Sequence, residues 1–143
     1  MNKFLYLVFV LESIVFVNCF GASVTVNIHN ALTEEVVKLV PKGSTCTYFK
    51  EQEIIAGKDK PLKVDVLDFK PADSPEKAQV LFQVNVVIMG KAVGVICLIQ
   101  GVLPNPIFWF GNSEDDLDYE LRTQRQRFGG GPTTIEIVRK EGR

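Results

Sequence analysis

The sequence predicts an all-β protein built as an antiparallel β-sandwich of about eight strands. Three observations support this class. Apolar and polar residues alternate along short segments, as in residues 23–30 (SVTVNIHN), where Val24, Val26 and Ile28 share one face. Turn-forming residues separate such segments at spacings of roughly eight to twelve residues. No segment shows the three-to-four-residue apolar spacing of an amphipathic helix.

The N-terminal 21 residues are typical of an export signal. Lys3 provides the positive start, and residues 4–11 (FLYLVFVL) form an apolar run. Small residues at Cys19 and Gly21 predict cleavage after Gly21, which leaves a single domain over residues 22–143. A membrane anchor is the alternative, but the run is short for a bilayer span and Glu12 interrupts it. We therefore expect a secreted, extracellular protein.

The longest apolar run after the N-terminus, residues 79–100, forms the centre of the predicted sheets. Valine and isoleucine dominate this run, which favours strand over helix, and Gly90 provides a turn between two strands. The other predicted strands cover residues 23–30, 35–40, 44–50, 62–69, 107–110, 117–127 and 133–139. Stretches rich in proline and glycine, such as residues 41–43 and 101–106, are predicted to end strands, and residues 56–61 (AGKDKP) are predicted to form a turn.

Composition and motifs favour a protein that is not an enzyme. The formal net charge is −1 and hydrophobic residues make up 46% of the chain, which supports a real core and gives no argument for nucleic-acid binding. Any zinc site or Ser-His-Asp triad would depend on His29 alone, and the alternation places His29 on the solvent face. The acidic run at residues 114–120 lacks the spacing of a calcium loop and is predicted to be a solvated loop. No metal or cofactor is expected.

Two cysteines, Cys46 and Cys97, remain after removal of the signal. An even pair in an oxidising compartment predicts one disulfide bond between them. Two buried free thiols are the alternative, because unpaired cysteines are common core residues.

Three consecutive aromatic residues, Phe108, Trp109 and Phe110, cannot all point into a core, because successive side chains of a strand alternate between faces. With Phe108 and Phe110 inside, Trp109 points outward, and the reverse arrangement also stays open. An outward aromatic side chain beside prolines can contact a lipid, a membrane surface or a protein partner.

Three arginines, Arg122, Arg125 and Arg127, follow the acidic run. They can bind an anionic headgroup or a partner surface. The alternative is a charged edge strand that is protected against aggregation. Together with Trp109, these arginines form the candidate surface of a secreted protein-interaction or membrane-binding module with a solid core.

The order of segments from residue 24 to residue 95 resembles the ML (lipid-recognition) domain, the family of secreted Niemann-Pick type C sterol carriers and mite group-two allergens. The resemblance rests on the strand VTVNIHN, on EVVKLVPKGSTC leading to Cys46, and on LKVDVLDFKPADSPEKAQVLFQVNVVIMGKAVGV. The later segments LDYELRTQ and GGGPTTIEIVRKEG are also similar. The resemblance implies an immunoglobulin-like β-sandwich whose sheets hold a lipid in an apolar cavity.

The leading hypothesis is a secreted, non-enzymatic protein that binds a lipid or a sterol-like hydrophobic ligand between its two sheets. Such cavities are apolar and contain few polar groups. The candidate lining residues are the inward-facing positions Val64, Val66, Phe82, Val84, Val86, Phe108, Phe110, Tyr119 and Ile135. The same residues can equally fill a packed core.

Overall fold

The regular structure of the described residues consists of eleven β-strands and one short 3-10 helix. The computed structural model describes residues 22–44, 49–66, 69–102, 106–123, 126–127 and 131–141, so the predicted signal at residues 1–21 lies outside the described residues. The strands are β1 (Ala22–Asn30), β2 (Val37–Ser44), β3 (Gln52–Ile54), β4 (Asp59–Val66), β5 (Val80–Ile88), β6 (Lys91–Ile99), β7 (Ile107–Asn112), β8 (Tyr119–Thr123), β9 (Gln126–Arg127), β10 (Gly131–Pro132) and β11 (Thr134–Arg139). A short 3-10 helix covers Pro75–Lys77, and none of the described helical structure is long and apolar enough to cross a membrane.

Two sheets contain nine of these strands. The four-stranded sheet has the order β4-β1-β11-β8, and the five-stranded sheet has the order β3-β2-β5-β6-β7. Neighbouring strands are antiparallel, except that β1 and β11 run parallel with Ile28 beside Ile135. A parallel pair needs a long connection, and these strands come from opposite ends of the domain. Strands β9 and β10 form a separate two-stranded ribbon. The predicted all-β, antiparallel-rich sandwich is confirmed.

Strict alternation along the strands builds the core between the two sheets. Leu62, Val64 and Val66 of β4 are each 1% exposed, while the residues between them are exposed. In the other sheet, the buried inward face of β5 extends from Phe82 to Ile88. Burying a large aliphatic or aromatic side chain contributes about 1.5–3 kcal/mol, so these alternating positions hold the two sheets together.

The predicted hairpin at residues 79–100 is confirmed as β5 and β6, joined at Met89 and Gly90. Both turn residues have positive φ, 52° for Met89 and 79° for Gly90, as a two-residue type I′ turn requires. Glycine adopts this conformation freely, whereas methionine does so at a cost.

Replacing Met89 by asparagine is expected to stabilise the protein by about 0.5–1 kcal/mol, because asparagine tolerates the left-handed conformation and Asn-Gly is a favoured type I′ pair. Met89 is 83% exposed, so its side chain gives up little packing. Urea unfolding of the wild type and of Met89→Asn measures the difference. A Met89→Ala variant controls for loss of the methionine side chain, and equal stability of all three proteins would contradict the expectation.

Two prolines lie inside strands where the sequence predicted turns, and these predictions were wrong. Strand β2 continues through Pro41 to Ser44, and its pairing with β5 shifts register between these two residues. Proline is tolerated at such an irregularity, although it has no backbone N–H to donate to the neighbouring strand. Strand β4 begins at Asp59 and contains Pro61, which is tolerated because β4 forms an edge of its sheet.

The predicted strand at residues 44–50 was also misplaced. Residues 45–48 lie outside the described residues, Phe49 and Lys50 are not in a strand, and the third strand is Gln52–Ile54. The short edge strand β3 has too few residues for its alternation to be recognised in the sequence.

Candidate functional site

The candidate lining residues all belong to the interior between the two sheets. Seven of them are buried: Val64, Val66, Phe82, Val84, Val86, Phe108 and Ile135. Phe110 and Tyr119 are half-buried and pack against the same hydrophobic cluster. Trp109, between two inward phenylalanines, is 53% exposed on the outer face of the five-stranded sheet. Of the two orientations left open by the sequence, the structure shows Phe108 and Phe110 inside and Trp109 outside.

Two further aromatic side chains contact this interior and were missed in the sequence. Phe49 and Phe69 are half-buried and pack against the buried cluster. Phe49 meets Phe82 edge to face, with ring centroids 5.2 Å apart and an interplanar angle of 74°. Both residues lie outside the observed strands, although they belonged to the predicted strands at residues 44–50 and 62–69. Phe69 is out of phase with Leu62, Val64 and Val66, so the alternation did not select it.

Gln52 brings an unpartnered polar atom to the inner face of the five-stranded sheet. It pairs with Leu39 across β2 and β3 and lies two residues from the buried Ile54, so its side chain shares their inward face. Its Oε1 atom is buried and accepts no hydrogen bond from the residues that the structure describes. A buried acceptor without a donor lowers stability by about 1–3 kcal/mol. The oxygen is therefore destabilising unless it accepts a hydrogen bond from outside the described residues.

Tyr119 contributes a ring to the interior rather than a free hydroxyl group. Its hydroxyl donates to Glu35 Oε2 at 2.6 Å, and Arg139 also donates to this carboxylate oxygen. The Arg139 guanidinium lies 5.0 Å from the centroid of the Tyr119 ring. The hydrogen bond from Tyr119 holds the pKa of the Glu35 carboxyl below its usual value, and the Arg139 charge acts in the same direction. The Tyr119 hydroxyl is thus hydrogen-bonded, whereas Gln52 Oε1 has no partner among the described residues.

The outer face of the four-stranded sheet carries a row of charged side chains. His29 lies beside Asp59 of β4 and beside Glu136 of β11, and Glu136 lies beside Arg122 of β8. His29 Nδ1 contacts the Asp59 carboxylate, and this hydrogen bond lowers the pKa of Asp59. Arg122 bonds Glu136 Oε1 through Nε at 2.9 Å and Nη2 at 2.8 Å. Across the described ranges, no cluster of three or more His, Cys, Asp or Glu side chains is arranged to hold a metal ion.

Two members of the candidate surface, Trp109 and Arg122, lie apart in the structure. Trp109 lies on the outer face of the five-stranded sheet, and Arg122 lies on the outer face of the other sheet, where it pairs with Glu136. Arg127 belongs to β9, and Arg125 lies outside the described residues.

A shallow groove of about 280 Å³ lies next to Trp109. It is lined by Trp109 together with Ala92, Gly94, Val95, Gly111, Asn112 and Ser113. The sequence identified Trp109 but gave no sign of the groove, because its lining comes from two strands and the turn after the second.

Cys97 is buried in β6 and forms no disulfide bond with the described residues, and burial raises the pKa of its thiol. Its side chain lies beside Trp109 in the pairing of β6 with β7. Cys46, its predicted partner, lies outside the described residues. The disulfide between them therefore stays a prediction.

One member of the acidic run is not solvated, contrary to prediction. Asp116 is 2% exposed, and its Oδ1 accepts the backbone N–H groups of Asp118 at 2.9 Å and Tyr119 at 2.8 Å. Burial alone would raise the pKa of Asp116, but these donors and the nearby Lys91 outweigh it and lower the pKa. The carboxylate thus fixes the turn that begins β8 and has a structural task.

Two features of the described residues are candidate binding sites for another molecule. One is the apolar interior with the unpartnered oxygen of Gln52, and the other is the groove beside the exposed ring of Trp109. Comparisons of this chain with protein-family models, with curated proteins and with solved structures found no match.

Proposed function

We propose that the protein is a secreted, non-enzymatic carrier that binds a hydrophobic ligand bearing a hydroxyl group, such as a sterol-like lipid, between its two sheets. The observation that supports this most directly is the buried Oε1 atom of Gln52 on the inner face of β3, which has no hydrogen-bond partner among the described residues. The resemblance to the ML domain, an immunoglobulin-like sandwich that holds a lipid between its sheets, points the same way. Export by the first 21 residues would place the carrier outside the cell.

The chemistry of the interior suits such a ligand. Aliphatic and aromatic side chains from both sheets form one buried cluster between the sheets, and they favour contact with apolar surface through the hydrophobic effect. A ligand hydroxyl can donate to Gln52 Oε1 and remove the cost of its unpaired state. One polar anchor in an apolar site fixes the orientation of a ligand, as is usual in small-molecule pockets.

Gln52→Met tests the proposal, because methionine has a similar length and no acceptor that needs a strong donor. In ligand-free protein, the variant is expected to be at least as stable as the wild type, since a buried unsatisfied oxygen is removed. Binding of cholesterol is expected to weaken by roughly fivefold to tenfold, which corresponds to the about 1–1.4 kcal/mol of a lost hydrogen bond. Binding of cholestane, which lacks the hydroxyl, should not weaken.

The matched control is Glu53→Met, on the same strand but with a side chain that points outward and is 58% exposed. It should leave the binding of both probes unchanged. Native mass spectrometry of the wild-type protein gives a direct check, because lipid is expected to co-purify. Protein that is always ligand-free and binds neither probe would contradict the proposal, as would an equal loss of cholesterol and cholestane in Gln52→Met.

The alternative function is a protein-interaction or membrane-binding module with a solid core. The structure favours it less as a single surface, because Trp109 and Arg122 face away on different sheets and Arg122 is already paired. It requires that the interior hold side chains only, so the lipid experiments separate the two functions.

A further inference from the structure

The two outer faces of the sandwich differ in their charge. The outer face of the four-stranded sheet carries ionisable side chains on all four of its strands, among them Lys63, Asp65 and Glu120. On the five-stranded sheet, the charged outward positions in the described ranges belong to β2 and β3. Over β5, β6 and β7 the outward positions form an area without acidic or basic side chains, here called the uncharged face: Gln83, Asn85, Val87, Val95, Cys97, Ile99, Ile107, Trp109 and Gly111.

Trp109 is the prominent feature of the uncharged face. Its side chain is bent along β7 toward Gly111, where an added Cβ atom would lie only 2.9 Å from Cη2 of the indole. The absence of a side chain at Gly111 thus lets the ring rest along its own strand. More than half of Trp109 stays exposed, and the groove of about 280 Å³ opens next to it. The ring lies over Gly111, and the groove leaves space beside it for a ligand.

Neutral polar groups lie across the face from the ring. Gln83 pairs with Cys97, which pairs with Trp109, so the Gln83 amide lies two strand spacings, about 10 Å, from the β7 backbone. Asn85 is its neighbour on the same outward face of β5. In the described part of the chain, neither half-buried amide forms a hydrogen bond with another residue. Each amide offers donors and an acceptor to a ligand.

The size of the uncharged face argues against a second copy of the chain. Three strands about 4.8 Å apart and some six residues long cover roughly 300 Å². A stable protein–protein interface buries about 800 Å² on each partner. The face is therefore suited to a ligand smaller than a protein.

The chemistry of the face also argues against a membrane or an extended peptide. Binding to an anionic membrane relies on clusters of about four to eight basic residues. Here Lys42 lies close enough to influence Cys97, while Lys38 is paired with Glu53 at 3.7 Å. An added peptide strand needs unpaired backbone groups. It could pair only along the outer edge of β7, beside the face rather than across it, because β5 and β6 are each paired on both sides.

We propose that the uncharged face is a binding site for a neutral oligosaccharide. One sugar ring packs its C–H groups against the electron-rich face of Trp109 in the groove, because that ring face carries partial negative charge. A neighbouring sugar extends across β6, and its hydroxyl groups exchange hydrogen bonds with the amides of Gln83 and Asn85. The site is separate from the interior of the sandwich and does not depend on the proposed lipid carriage.

The test uses the fact that Trp109 is the sole tryptophan in the chain, so intrinsic fluorescence reports on this groove. Soluble tetrasaccharides of β-1,4-glucose, β-1,4-N-acetylglucosamine, α-1,4-glucose and β-1,4-mannose are titrated into the full chain. At least one of them is expected to change the emission saturably, with a Kd below about 1 mM. Titration calorimetry then measures the affinity of the variants, because replacing Trp109 removes the fluorescence signal.

Trp109→Ala is expected to weaken binding of that tetrasaccharide by at least about tenfold, and Trp109→Phe by less, because phenylalanine keeps an aromatic face. Gln83→Ala with Asn85→Ala should weaken it by roughly fivefold or more through lost hydrogen bonds. Ile55→Ala, at a side chain that is 57% exposed elsewhere, is the matched control and should leave the affinity unchanged. Thermal unfolding verifies that each variant is folded.

Three results would overturn the proposal. The first is that none of the tetrasaccharides binds at concentrations up to about 10 mM. The second is binding that Trp109→Ala leaves unchanged. The third is a Trp109-dependent dimer in sedimentation experiments, or Trp109-dependent binding to vesicles containing phosphatidylserine, because either would identify a different occupant. Cholesterol binding by Trp109→Ala should match the wild type, so failure of this site and failure of the interior site are distinguishable.

Discussion

Replacing Asn30 by aspartate is expected to lower the free energy of unfolding at pH 7 by about 4 kcal/mol, although the two side chains are nearly the same size. Asn30 is completely buried at the end of β1. Its Nδ2 donates to the carbonyl oxygens of Glu35 at 2.9 Å and Ile54 at 2.8 Å. Its Oδ1 accepts the backbone N–H of Leu32 at 3.0 Å. Aspartate keeps the acceptor but loses both donors and turns a carboxylate oxygen toward two carbonyl groups.

The loss should depend on pH in a defined direction. Burial beside two carbonyl oxygens disfavours the ionised form, so the carboxyl at position 30 will have a higher pKa in the folded than in the unfolded protein. The penalty therefore grows as the pH rises above the unfolded value of about 4 and shrinks below it, where the protonated group can donate one hydrogen bond. Urea unfolding at about pH 4 and at pH 7 measures the difference.

Asn85→Asp is the matched control for this prediction. Asn85 is half-buried on β5, and its amide forms no hydrogen bond with the described residues. The same chemical change there should cost less than about 1 kcal/mol at either pH. If Asn30→Asp were as mild as Asn85→Asp, the hydrogen bonds of Asn30 would not be organising the junction of β1, β2 and β3.

The sequence predicted the strands whose signal is local. Alternation with period two lies within each segment, so the inward faces of β1, β4 and β11 could be identified without any knowledge of their partners. Seven of the nine candidate lining residues are buried and the other two pack against the same cluster, while their role in binding a ligand stays a prediction. Gly90 marked the turn of the β5–β6 hairpin, since glycine adopts positive φ at little cost.

What the sequence could not predict depends on contacts between distant segments. Asn30 was simply the last polar residue of an alternating strand, and only the fold brings the carbonyl of Ile54 to its amide. Gln52 belongs to a strand of three residues, and its inward orientation follows from pairing with Leu39. Trp109 and Arg122 are close in sequence but separate in space, because β7 and β8 join different sheets.

One contact between those two strands closes the edge of the sandwich. The side-chain amide of Asn112, at the end of β7, donates to the Leu121 carbonyl at 3.0 Å and accepts the Leu121 N–H at 2.6 Å. A side chain thus replaces the backbone pairing that would otherwise join β7 to β8. The two sheets approach each other closely here, and Gly94 of β6 faces this junction.

Gly94→Val is accordingly expected to destabilise the protein by about 3 kcal/mol or more, through overpacking at this edge. A Cβ atom at position 94 would lie 2.7 Å from Leu121 Cδ1 and 2.8 Å from the Gly111 carbonyl oxygen. The leucine could rotate away, but the backbone oxygen can move only if β7 shifts. That shift would strain the Asn112 bridge to Leu121, so the cost cannot be relieved by side chains alone.

Ala92→Val, two residues away on β6 at an exposed position, is the matched control and should change stability by less than about 0.5 kcal/mol. Urea unfolding of both variants measures the effect, and a Gly94→Val protein as stable as the control would contradict the close approach of the sheets.

The Gly94→Val variant is also expected to change ligand binding. Forcing the sheets apart at β6 and β8 changes the width of the same interior that Gln52 faces from β3. A carrier with its ligand between the sheets should therefore lose affinity along with stability in Gly94→Val. Saccharide binding should weaken in this variant as well, because Gly94 and Gly111 both line the groove next to Trp109.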